Sequence, residues 1–419
     1  MTEYKKCQCW QKINHFAGAF LMGRKDNLNM RMSELRERVG DFASFYPESY
    51  LLPGDQEQLN KVWESHALWI VKPSASSRGK GIHLLTNHDT IPTSPGVVQY
   101  YIRNPLLVAK RKFDIRLYIL VTSIEPLRIY MHSAGMARFA THEYKPDSSP
   151  DDQHMHLTNF SLNKDDKEFI RSDGVHESIE NSKWSIGFFM QYCRSQGIDP
   201  TRLMKEFERI SIATIIAGMC EIKLKHKQVI PHHHTSYEMY GIDIMLDSDL
   251  NAHLIEINIS PSLSGMDSKL DQEMKYPLNL DLLRMARIID CDPRESHPCI
   301  EIELIEKEFY RSVTESRVKD VTEFGVDPWI QPVFADFVII RDFIEEMGIP
   351  SGFRFIYPVK ETMQTYFPCF DRMDYYDTVF TKWMQLGDQE KFDVINNHIN
   401  EYIEKMREIR EMANKNFQN

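Results

Sequence analysis

The sequence predicts a mixed α/β fold, in which short strands, a long buried helix and a further pair of strands precede a charged helical region. Three observations predict this fold class. Six runs of β-type residues lie between residues 67 and 140, a helix start lies at Asp199-Pro200, and helical periodicity dominates after residue 290. A chain of 419 residues is long enough for about two to four structural units.

The first strands are expected shortly after the N-terminal region. Positions 1–66 are polar and mixed, and Pro47 and the Pro53-Gly54 turn interrupt them. The runs that follow are rich in β-branched and aromatic residues and are separated by turn residues, which is typical of a sheet. We expect strands at 67–71, 82–85, 97–102, 113–121, 127–132 and 136–140.

A long helix is expected after the polar stretch around 143–156. Asp199 is a good N-cap residue and Pro200 suits the first helical position, so the pattern predicts a helix from about Thr201 to Ile222. The second half of this helix is rich in Ile, Ala and Met. We interpret it as a buried core helix.

Two more strands and a helical region complete the chain. The strands are expected at 239–247 and 252–259, and Ser248-Asp249 between them indicates a hairpin. Residues 390–412 show an amphipathic helix pattern. We expect this helix to pack on the body through its Ile and Met face; a partner-binding helix is the alternative.

Charge is distributed unevenly along the chain. The whole sequence has 61 acidic and 50 basic side chains, a net charge of −11, and residues 291–419 contain 25 of the acidic and 15 of the basic ones. Residues 1–290 are therefore almost neutral. An acidic chain is a poor non-specific nucleic-acid binder, but basic clusters at 110–112 and at Lys223, Lys225 and Lys227 could receive an acidic partner.

Composition excludes several classes of protein. A hydrophobic content of 42% excludes a disordered tail protein, and the longest nearly uncharged apolar stretch, Ile210 to Cys220, is too short to cross a bilayer. The seven cysteines show no C-x-x-C spacing, so we expect reduced thiols and a cytosolic protein without a membrane anchor. The run His232-His233-His234 is interpreted as a solvated loop rather than a metal site.

Strand alternation predicts a metal site in the last two strands. In the second strand, His253, Ile255, Ile257 and Ile259 would form the core face, and Ala252, Leu254, Glu256 and Asn258 the opposite face. In the first strand, Asp243 faces away from its apolar neighbours. If the hairpin pairs these strands, Asp243, Glu256 and Asn258 converge as an oxygen-only set that suits Mg²⁺; a solvated strand face is the alternative.

A second set of residues predicts an anion site. Lys72 ends the first β-type run and leads into the small-residue loop 74–82, where Gly79 and Gly81 allow backbone N–H groups to approach an anion and Arg78 and Lys80 add positive charge. The order of residues is not that of a P-loop. A loop of this kind is weak evidence for a nucleotide by itself.

The strand at 113–121 adds further charged groups. Its apolar face carries Ile115 and Leu117, whereas Asp114 and Arg116 lie on the opposite face and Lys112 precedes it. Arg138, on a nearby strand, could present a planar guanidinium to a carboxylate or a phosphate. A purely structural Asp–Arg pair is the alternative.

These segments together resemble the tubulin tyrosine ligase-like family of the ATP-grasp superfamily. The resemblance is carried, in order, by VKPSASSRGKGI, VVQYYIRNPLLV, KFDIRLYILVTSIEPLRIY, MARFA, HLTNFSLNK and YGIDIMLD…HLIEINISPSL, and covers about residues 12–290. The segments INHFAGAFLMGRKDNL and FYPESYLLP are most similar to the protein polyglutamylase branch.

The resemblance implies an ATP-grasp fold with a helical extension. Its expected parts are an abbreviated N-terminal lobe (1–66), a central lobe (67–155), a C-terminal lobe with the metal site (156–290) and a mostly helical acidic extension (291–419). Members of this family generally have a longer first lobe, so we expect the N-terminal lobe of this chain to be truncated.

The resemblance also implies a role for each matching residue. ATP would be bound by Lys72, Arg78, Gly79, Gln99, Tyr100, Tyr101, Ile102, Lys112, Phe113, Asp114, Thr158 and Asn159, and two Mg²⁺ ions by Asp243, Glu256 and Asn258. Arg138 and Glu256 would be catalytic. Free glutamate would be bound by Arg138, Phe160, Ser161, Lys183 and Lys275; Phe160 replaces a tyrosine that is usual in the family, so a hydroxyl contact is lost.

The implied activity is that of an ATP- and Mg²⁺-dependent protein glutamate ligase. Such an enzyme forms isopeptide bonds on glutamate side chains of tubulin tails or other acidic proteins through an acyl phosphate, uses free L-glutamate, and binds neither nucleic acid nor membranes. We expect a monomer in the cytoplasm on microtubules, including the ciliary basal body. The alternatives are a glycine or tyrosine ligase of the same family and a non-catalytic microtubule-associated scaffold.

Overall fold

The computed structural model describes residues 4–74, 76, 79–146, 150–171, 177–230, 232, 235–288 and 297–418. Within these ranges no helix is both long enough and apolar enough to cross a membrane. Arg78 of the predicted anion site, and His233 and His234, lie outside the described residues.

The strands of the described chain form two antiparallel sheets. They are β1 (Ser49–Leu52), β2 (Leu68–Lys72), β3 (His83–Thr86), β4 (Gly96–Tyr100), β5 (Leu107–Val108), β6 (Arg111–Ile124), β7 (Leu127–Phe139), β8 (Lys183–Ser185), β9 (Glu238–Leu246), β10 (Ala252–Asn258) and β11 (Phe353–Tyr357). The smaller sheet has the order β1-β4-β2-β3. The larger has the order β10-β9-β6-β7-β11, with β5 paired to β6 and β8 to β7.

The helices surround these sheets and dominate the C-terminal third. They are α1 (Phe20–Gly23), α2 (Lys25–Val39), α3 (Gln56–Val62), α4 (Gln153–His156), α5 (Phe160–Asn163), α6 (Ile186–Ser195), α7 (Pro200–Val229), α8 (Lys269–Met285), α9 (His297–Ser312), α10 (Glu315–Thr322), α11 (Phe334–Met347), α12 (Tyr375–Gln385) and α13 (Asp388–Gln418). The prediction of a mixed α/β fold with a helical C-terminal region is confirmed.

The central core lies between helix α7 and one face of the larger sheet. Asp199 caps α7 by accepting a hydrogen bond from the backbone N–H of Thr201, as expected, and the helix extends to Val229. Its buried residues pack with Ile115 of β6 and Ile242 of β9 in one apolar cluster. The opposite face of this sheet carries charged side chains, and the candidate site lies there.

The β-type runs at 127–132 and 136–140 belong to one strand rather than two. Both lie in β7, which pairs with β6 throughout its length, although the register shifts opposite residues 132–134. On the other side of β7 the partner changes at the same place, from β11 to β8. Ser133 and Gly135, whose residue types suggested a turn, mark this change of partner.

Strict alternation in β10 is also interrupted. A register shift lies between Leu254 and Glu256, so Ala252, Leu254 and Ile257 are buried while His253 and Ile255 are only partly buried. The predicted core face is therefore wrong for His253 and Ile255, and the predicted outer face is wrong for Ala252 and Leu254. The bulge reverses the faces of the residues that follow it relative to Ala252 and Leu254. Glu256 and Asn258 therefore lie opposite the buried Ile257, as predicted.

The C-terminal region joins the larger sheet through β11. Phe353–Tyr357 pairs with residues 129–132 of β7, so this region supplies an edge strand as well as helices. Helix α13 packs against α9 and α11, with Ile409 and Ala413 buried, as expected for its apolar face. The lobe boundaries after residues 66, 155 and 290 stay a prediction.

The two basic clusters are partly buried. Lys112 is buried, and Arg111 donates a hydrogen bond to the carbonyl of Ile179. Lys223 is buried against Asp377. Tertiary packing thus uses part of the charge of each cluster inside the fold, and the hypothesis that the remaining charge, including that of the exposed Lys110 and Lys227, receives an acidic segment stays a prediction.

Candidate functional site

A cleft lies between the two sheets. One wall comes from β2 and β4, the other from β6, β9 and β10, and the segment before α5 closes one side. The structure brings together in this cleft most of the residues expected to bind ATP or a metal: Lys72, Gln99, Tyr100, Tyr101, Ile102, Lys112, Asp114, Thr158, Asn159, Asp243 and Glu256.

Two buried lysines dominate the electrostatics of the cleft. Lys72 Nζ donates to Gln99 Oε1 at 2.6 Å and to the Ile255 carbonyl at 3.4 Å, and burial lowers its pKa to about 8 despite the attraction of Glu256. Lys112 Nζ donates to the Tyr101 hydroxyl at 3.0 Å, and burial lowers its pKa to about 7. Buried ammonium groups held by neutral partners are suited to an anionic ligand, because a negative charge offsets the cost of burial.

The part of the cleft next to residues 99–102 is mainly apolar. Ile70, Ile102, Leu157, Met245 and Ile255 line it. The Tyr101 hydroxyl lies 2.7 Å from His156 Nδ1, and this contact connects the segment that follows β4 to helix α4. Flat apolar walls with a few fixed polar groups are typical of a slot for a planar ring.

Asp114 and Asp243, which line the cleft, form a buried quartet of charges with Arg116 and Arg138. Arg138 donates two hydrogen bonds of 2.7 Å to Asp114 and contacts Asp243 at 2.8 Å, while Arg116 donates two hydrogen bonds to Asp243. Although burial opposes it, the two arginines hold the pKa of Asp243 below its usual range. The Thr158 hydroxyl donates to Asp114, which connects the quartet to the segment before α5.

The predicted metal-binding residues adjoin this quartet. Asp243 and Glu256 are direct cross-strand partners, and the Asn258 side-chain amide donates to Glu256 Oε1 at 3.2 Å. Glu256 Oε2 lies 3.6 Å from Lys25 Nζ. Glu256 and Asn258 can present neighbouring oxygens to a cation, whereas both carboxylate oxygens of Asp243 accept hydrogen bonds from arginine.

These donors fit Mg²⁺, which commonly takes one or two carboxylates and completes its coordination with water and substrate phosphates. Within the described ranges, no three His, Cys, Asp or Glu side chains are grouped to hold a metal ion by themselves. An anionic ligand in the cleft would have to supply the remaining oxygens. The metal role of Asp243, Glu256 and Asn258 stays a prediction.

Two other expected ATP contacts lie at the margin of the cleft or outside it. Gly79 has a positive φ of 77°, a backbone conformation that favours glycine. A Cβ at this position would lie 3.1 Å from Asn159 Oδ1, so glycine suits the close approach to Asn159. The Phe113 side chain instead packs on Phe139 and Phe189 in the core, because it shares the face of Ile115. Its side chain does not line the cleft.

The residues expected to bind an amino acid form a second group beside the quartet. Lys183 on β8 is the cross-strand partner of Arg138, and its Nζ lies 3.8 Å from the Phe160 ring centroid. Lys183 and Lys275 each lie 2.8 Å from a carboxylate oxygen of Asp271. Ser161 follows Phe160 in α5.

The sequence did not reveal several residues of the site. Asp271 precedes Lys275 by one helical turn, and this i,i+4 spacing of opposite charges is the signal that could have identified it. Lys25, His156 and Met245 also line the cleft. They lie within INHFAGAFLMGRKDNL, HLTNFSLNK and YGIDIMLD, but charge and strand alternation did not mark them as site residues, because their position in the cleft depends on how distant segments pack.

Comparison with known proteins adds independent information. Residues 3–295 match the model of the tubulin-tyrosine ligase family. The chain is 33% identical over 382 residues to "Tubulin polyglutamylase TTLL5" of Homo sapiens, covering 85% of this chain and 30% of that protein. It is 38% identical over 284 residues to "Tubulin monoglutamylase TTLL4" of Mus musculus, covering 67% of this chain and 24% of that protein.

A third relative comes from a ciliate. "Probable beta-tubulin polyglutamylase" of Tetrahymena thermophila is 35% identical over 290 residues, covering 67% of this chain and 24% of that protein. The chain thus spans less than a third of the length of these three relatives. The family match includes every residue that lines the cleft and every strand except β11. This chain belongs to the tubulin-tyrosine ligase family, whose fold is of the ATP-grasp type.

Proposed function

We propose that this protein is an ATP- and Mg²⁺-dependent ligase that joins free L-glutamate to glutamate side chains of tubulin tails or of another acidic protein. The observation that carries this proposal is the arrangement of charges in the cleft, where Lys72 on the β2 wall lies opposite Lys112 of β6 and Glu256 of β10. The relatives are named tubulin polyglutamylases and a tubulin monoglutamylase, which supports the choice of glutamate and tubulin.

The cleft residues account for binding of ATP. Lys72 and Lys112 would hold the phosphates, and an anion there would favour their charged forms. The base would lie in the apolar slot beside Tyr101 and Ile102. Glu256 and Asn258 would hold Mg²⁺, which when bound neutralises phosphate charge and polarises the bond to the leaving group.

The reaction requires positioning rather than a protein nucleophile. A γ-carboxylate oxygen of the acceptor attacks the γ-phosphorus of ATP, and the bond to the bridging oxygen breaks, giving an acyl phosphate and ADP. The amine of free glutamate, after loss of a proton, then attacks the acyl carbon. An isopeptide bond forms as inorganic phosphate leaves.

Arg138 is the residue best placed to connect the two half-reactions. It is fixed by Asp114 and Asp243 and lies beside Lys183 in the sheet register. Its guanidinium would orient the acceptor carboxylate for attack on phosphorus and stabilise the oxyanion that develops on the same carboxyl group when the amine adds to the acyl phosphate.

The proposal is tested by incorporation of labelled amino acids into tubulin with ATP and Mg²⁺. We expect incorporation of glutamate but not of glycine or tyrosine, and a loss of at least about 100-fold in Glu256→Gln. Glu57→Gln, on the exposed side of α3, is the matched control and should retain full activity.

Incorporation of glycine or tyrosine in place of glutamate would assign a different ligase of the same family. If none of the three is incorporated into tubulin or other acidic proteins, the ligase proposal fails and a scaffold is favoured. Full activity in Glu256→Gln would contradict the metal assignment alone.

A further inference from the structure

Asp271 lies at the centre of the second charged group. Its Oδ2 is 2.8 Å from Lys183 Nζ and its Oδ1 is 2.8 Å from Lys275 Nζ, although Lys183 belongs to β8 and Lys275 to α8. The Asp271 side chain is only 1% exposed, and those of the lysines are 7% and 4% exposed. One carboxylate therefore holds two buried cations that come from separate elements.

The surroundings fix this carboxylate and one of its lysines. Ser268, the N-cap of α8, donates its hydroxyl to Asp271 Oδ2 at 2.6 Å and accepts from the Asp271 backbone N–H. The Phe160 ring supports Lys183 from the other side. Lys275 also donates to the Ser264 carbonyl at 3.1 Å. The geometry is thus a built arrangement rather than a chance surface pair.

Lys183 and Lys275 extend the charged quartet of Arg116, Asp243, Arg138 and Asp114 into a row of charges across the larger sheet. Lys183 is the cross-strand partner of Arg138, whose own charge is balanced by Asp114 and Asp243. Without Asp271, Lys183 would face both Arg138 and Lys275 with no carboxylate of its own. Lys183, Lys275 and Asp271 together leave one net positive charge at the end of the row.

We propose that Asp271 is a positioning residue that sets the selectivity of this site for an amino acid with a second carboxylate. The inference rests on the proposed function, and it identifies a residue that acts on the ligand only through Lys183 and Lys275. A dicarboxylic amino acid carries one net negative charge and neutralises the site. A neutral amino acid such as glycine or tyrosine makes no contact with the two ammonium groups, so only the second carboxylate of a dicarboxylic amino acid depends on Asp271 holding them together.

Asp271→Asn is the variant that tests this role, and Asp267→Asn is the matched control. Asp267 is near enough for its charge to act on Lys183, but it is only partly buried. For Asp271→Asn we expect the KM for glutamate to rise about tenfold or more while kcat stays within about threefold and the KM for ATP is unchanged. Asp267→Asn should change each constant by less than about twofold.

The ratio of kcat/KM for glutamate over glycine supplies a readout that a purely structural role would not move. We expect this ratio to fall about tenfold in Asp271→Asn. An unchanged KM for glutamate in a folded Asp271→Asn protein would overturn the inference. A uniform fall in kcat for every substrate would overturn it as well.

A second variant decides the matter if Asp271→Asn does not fold. Asp271→Glu keeps the charge but displaces the carboxylate by one methylene group, so we expect a rise of about three- to tenfold in the KM for glutamate and an unchanged KM for ATP. An unchanged glutamate KM there contradicts the inference. Inactivity of the wild type with every amino acid overturns the proposed function and the inference together, whereas an active wild type with unaffected Asp271 variants overturns the inference alone.

Discussion

Lys112 is the residue in which burial and function are most clearly opposed. Its ammonium donates to the Tyr101 hydroxyl and lies 4.3 Å from the Tyr101 ring centroid. These contacts stabilise the charge less than the hydration that an exposed lysine keeps in water. Lys72 is in the same position, 6% exposed and bonded to the neutral Gln99. Both residues therefore cost stability in the folded chain, as is common where charge is held ready for a ligand.

This cost predicts a specific dependence of stability on pH. The pKa values of Lys72 and Lys112 fall to about 8 and about 7 in the folded chain, below the usual lysine value, so the unfolded chain binds more protons at intermediate pH. The destabilisation is complete below about pH 7 and disappears as the pH rises towards about 10. We expect the contribution of these two lysines to raise the free energy of unfolding over this range.

Lys112→Met should remove part of this dependence. It replaces a buried ammonium by an apolar chain of similar length, so we expect a gain of about 1–4 kcal/mol in stability at pH 6, together with weaker ATP binding. Denaturant unfolding at pH 6, 8 and 10 measures the effect, and Lys110→Met, whose side chain is 75% exposed, is the control. A variant less stable than the wild type at pH 6 would contradict the argument.

Single residues also show where sequence reasoning succeeds. Strand alternation placed Asp114, Asp243 and Glu256 on the same side as the cleft, because the two-residue period of a strand is fixed by backbone geometry. It failed at His253 and Ile255, since a bulge adds a residue that alternation cannot anticipate. Asp271 was missed although its partner Lys275 was identified: their i,i+4 spacing is visible in the sequence, but the contact with Lys183 depends on packing between α8 and β8.

At the scale of elements, Asp377 of α12 connects three parts of the chain. It accepts a hydrogen bond of 2.8 Å from the Leu127 backbone N–H at the start of β7 and another from Lys223 of α7. Although burial opposes it, Asp377 and Asp374 raise the pKa of Lys223 above its usual value. The carboxylates of the C-terminal region, with a smaller contribution from Glu125, therefore keep Lys223 positively charged in the interior.

Removal of the Asp377 charge should loosen this connection. In Asp377→Asn, Lys223 keeps the more distant carboxylates of Asp374, at 3.3 Å, and Glu125, so we expect a loss of about 3 kcal/mol in the free energy of unfolding. Urea unfolding measures the change, and Asp388→Asn at the exposed start of α13 is the control. Equal stability of the two variants would show that Asp377 has no special structural role.

The elements that sequence reasoning located best are those with a strong local period. The helix α7 and the hairpin of β9 and β10 were found because capping residues and alternation mark them. The strand β11 was not anticipated, since FRFIY is a short segment between helices and its partner β7 lies far earlier in the chain. Pairing over such a distance leaves no local pattern in the sequence.

At the scale of the whole molecule, acidic charge is concentrated in the region that completes the larger sheet. Residues 291–419 contain 25 acidic and 15 basic side chains, and several of the acidic ones are used internally. Glu346 pairs with Arg128 and accepts from Thr122, and Asp374 and Asp377 pair with Lys223. The acidity of this region is thus in part the counter-charge of buried cations that lie between positions 1 and 290.

A chain that ends at residue 288 should therefore fail to fold. It would expose the edge of β7 over residues 129–132, leave Arg128 and Lys223 buried without their carboxylates, and uncover the apolar cluster to which Ile356 and Tyr357 belong. We expect aggregated or loosely packed protein, measured by near-ultraviolet circular dichroism and by hydrogen exchange of β7. A chain that ends at residue 386 loses only α13 and keeps β11 and α12, so it should still unfold cooperatively and bind ATP. Cooperative unfolding of the shorter chain would show instead that it forms a self-sufficient unit without the C-terminal region.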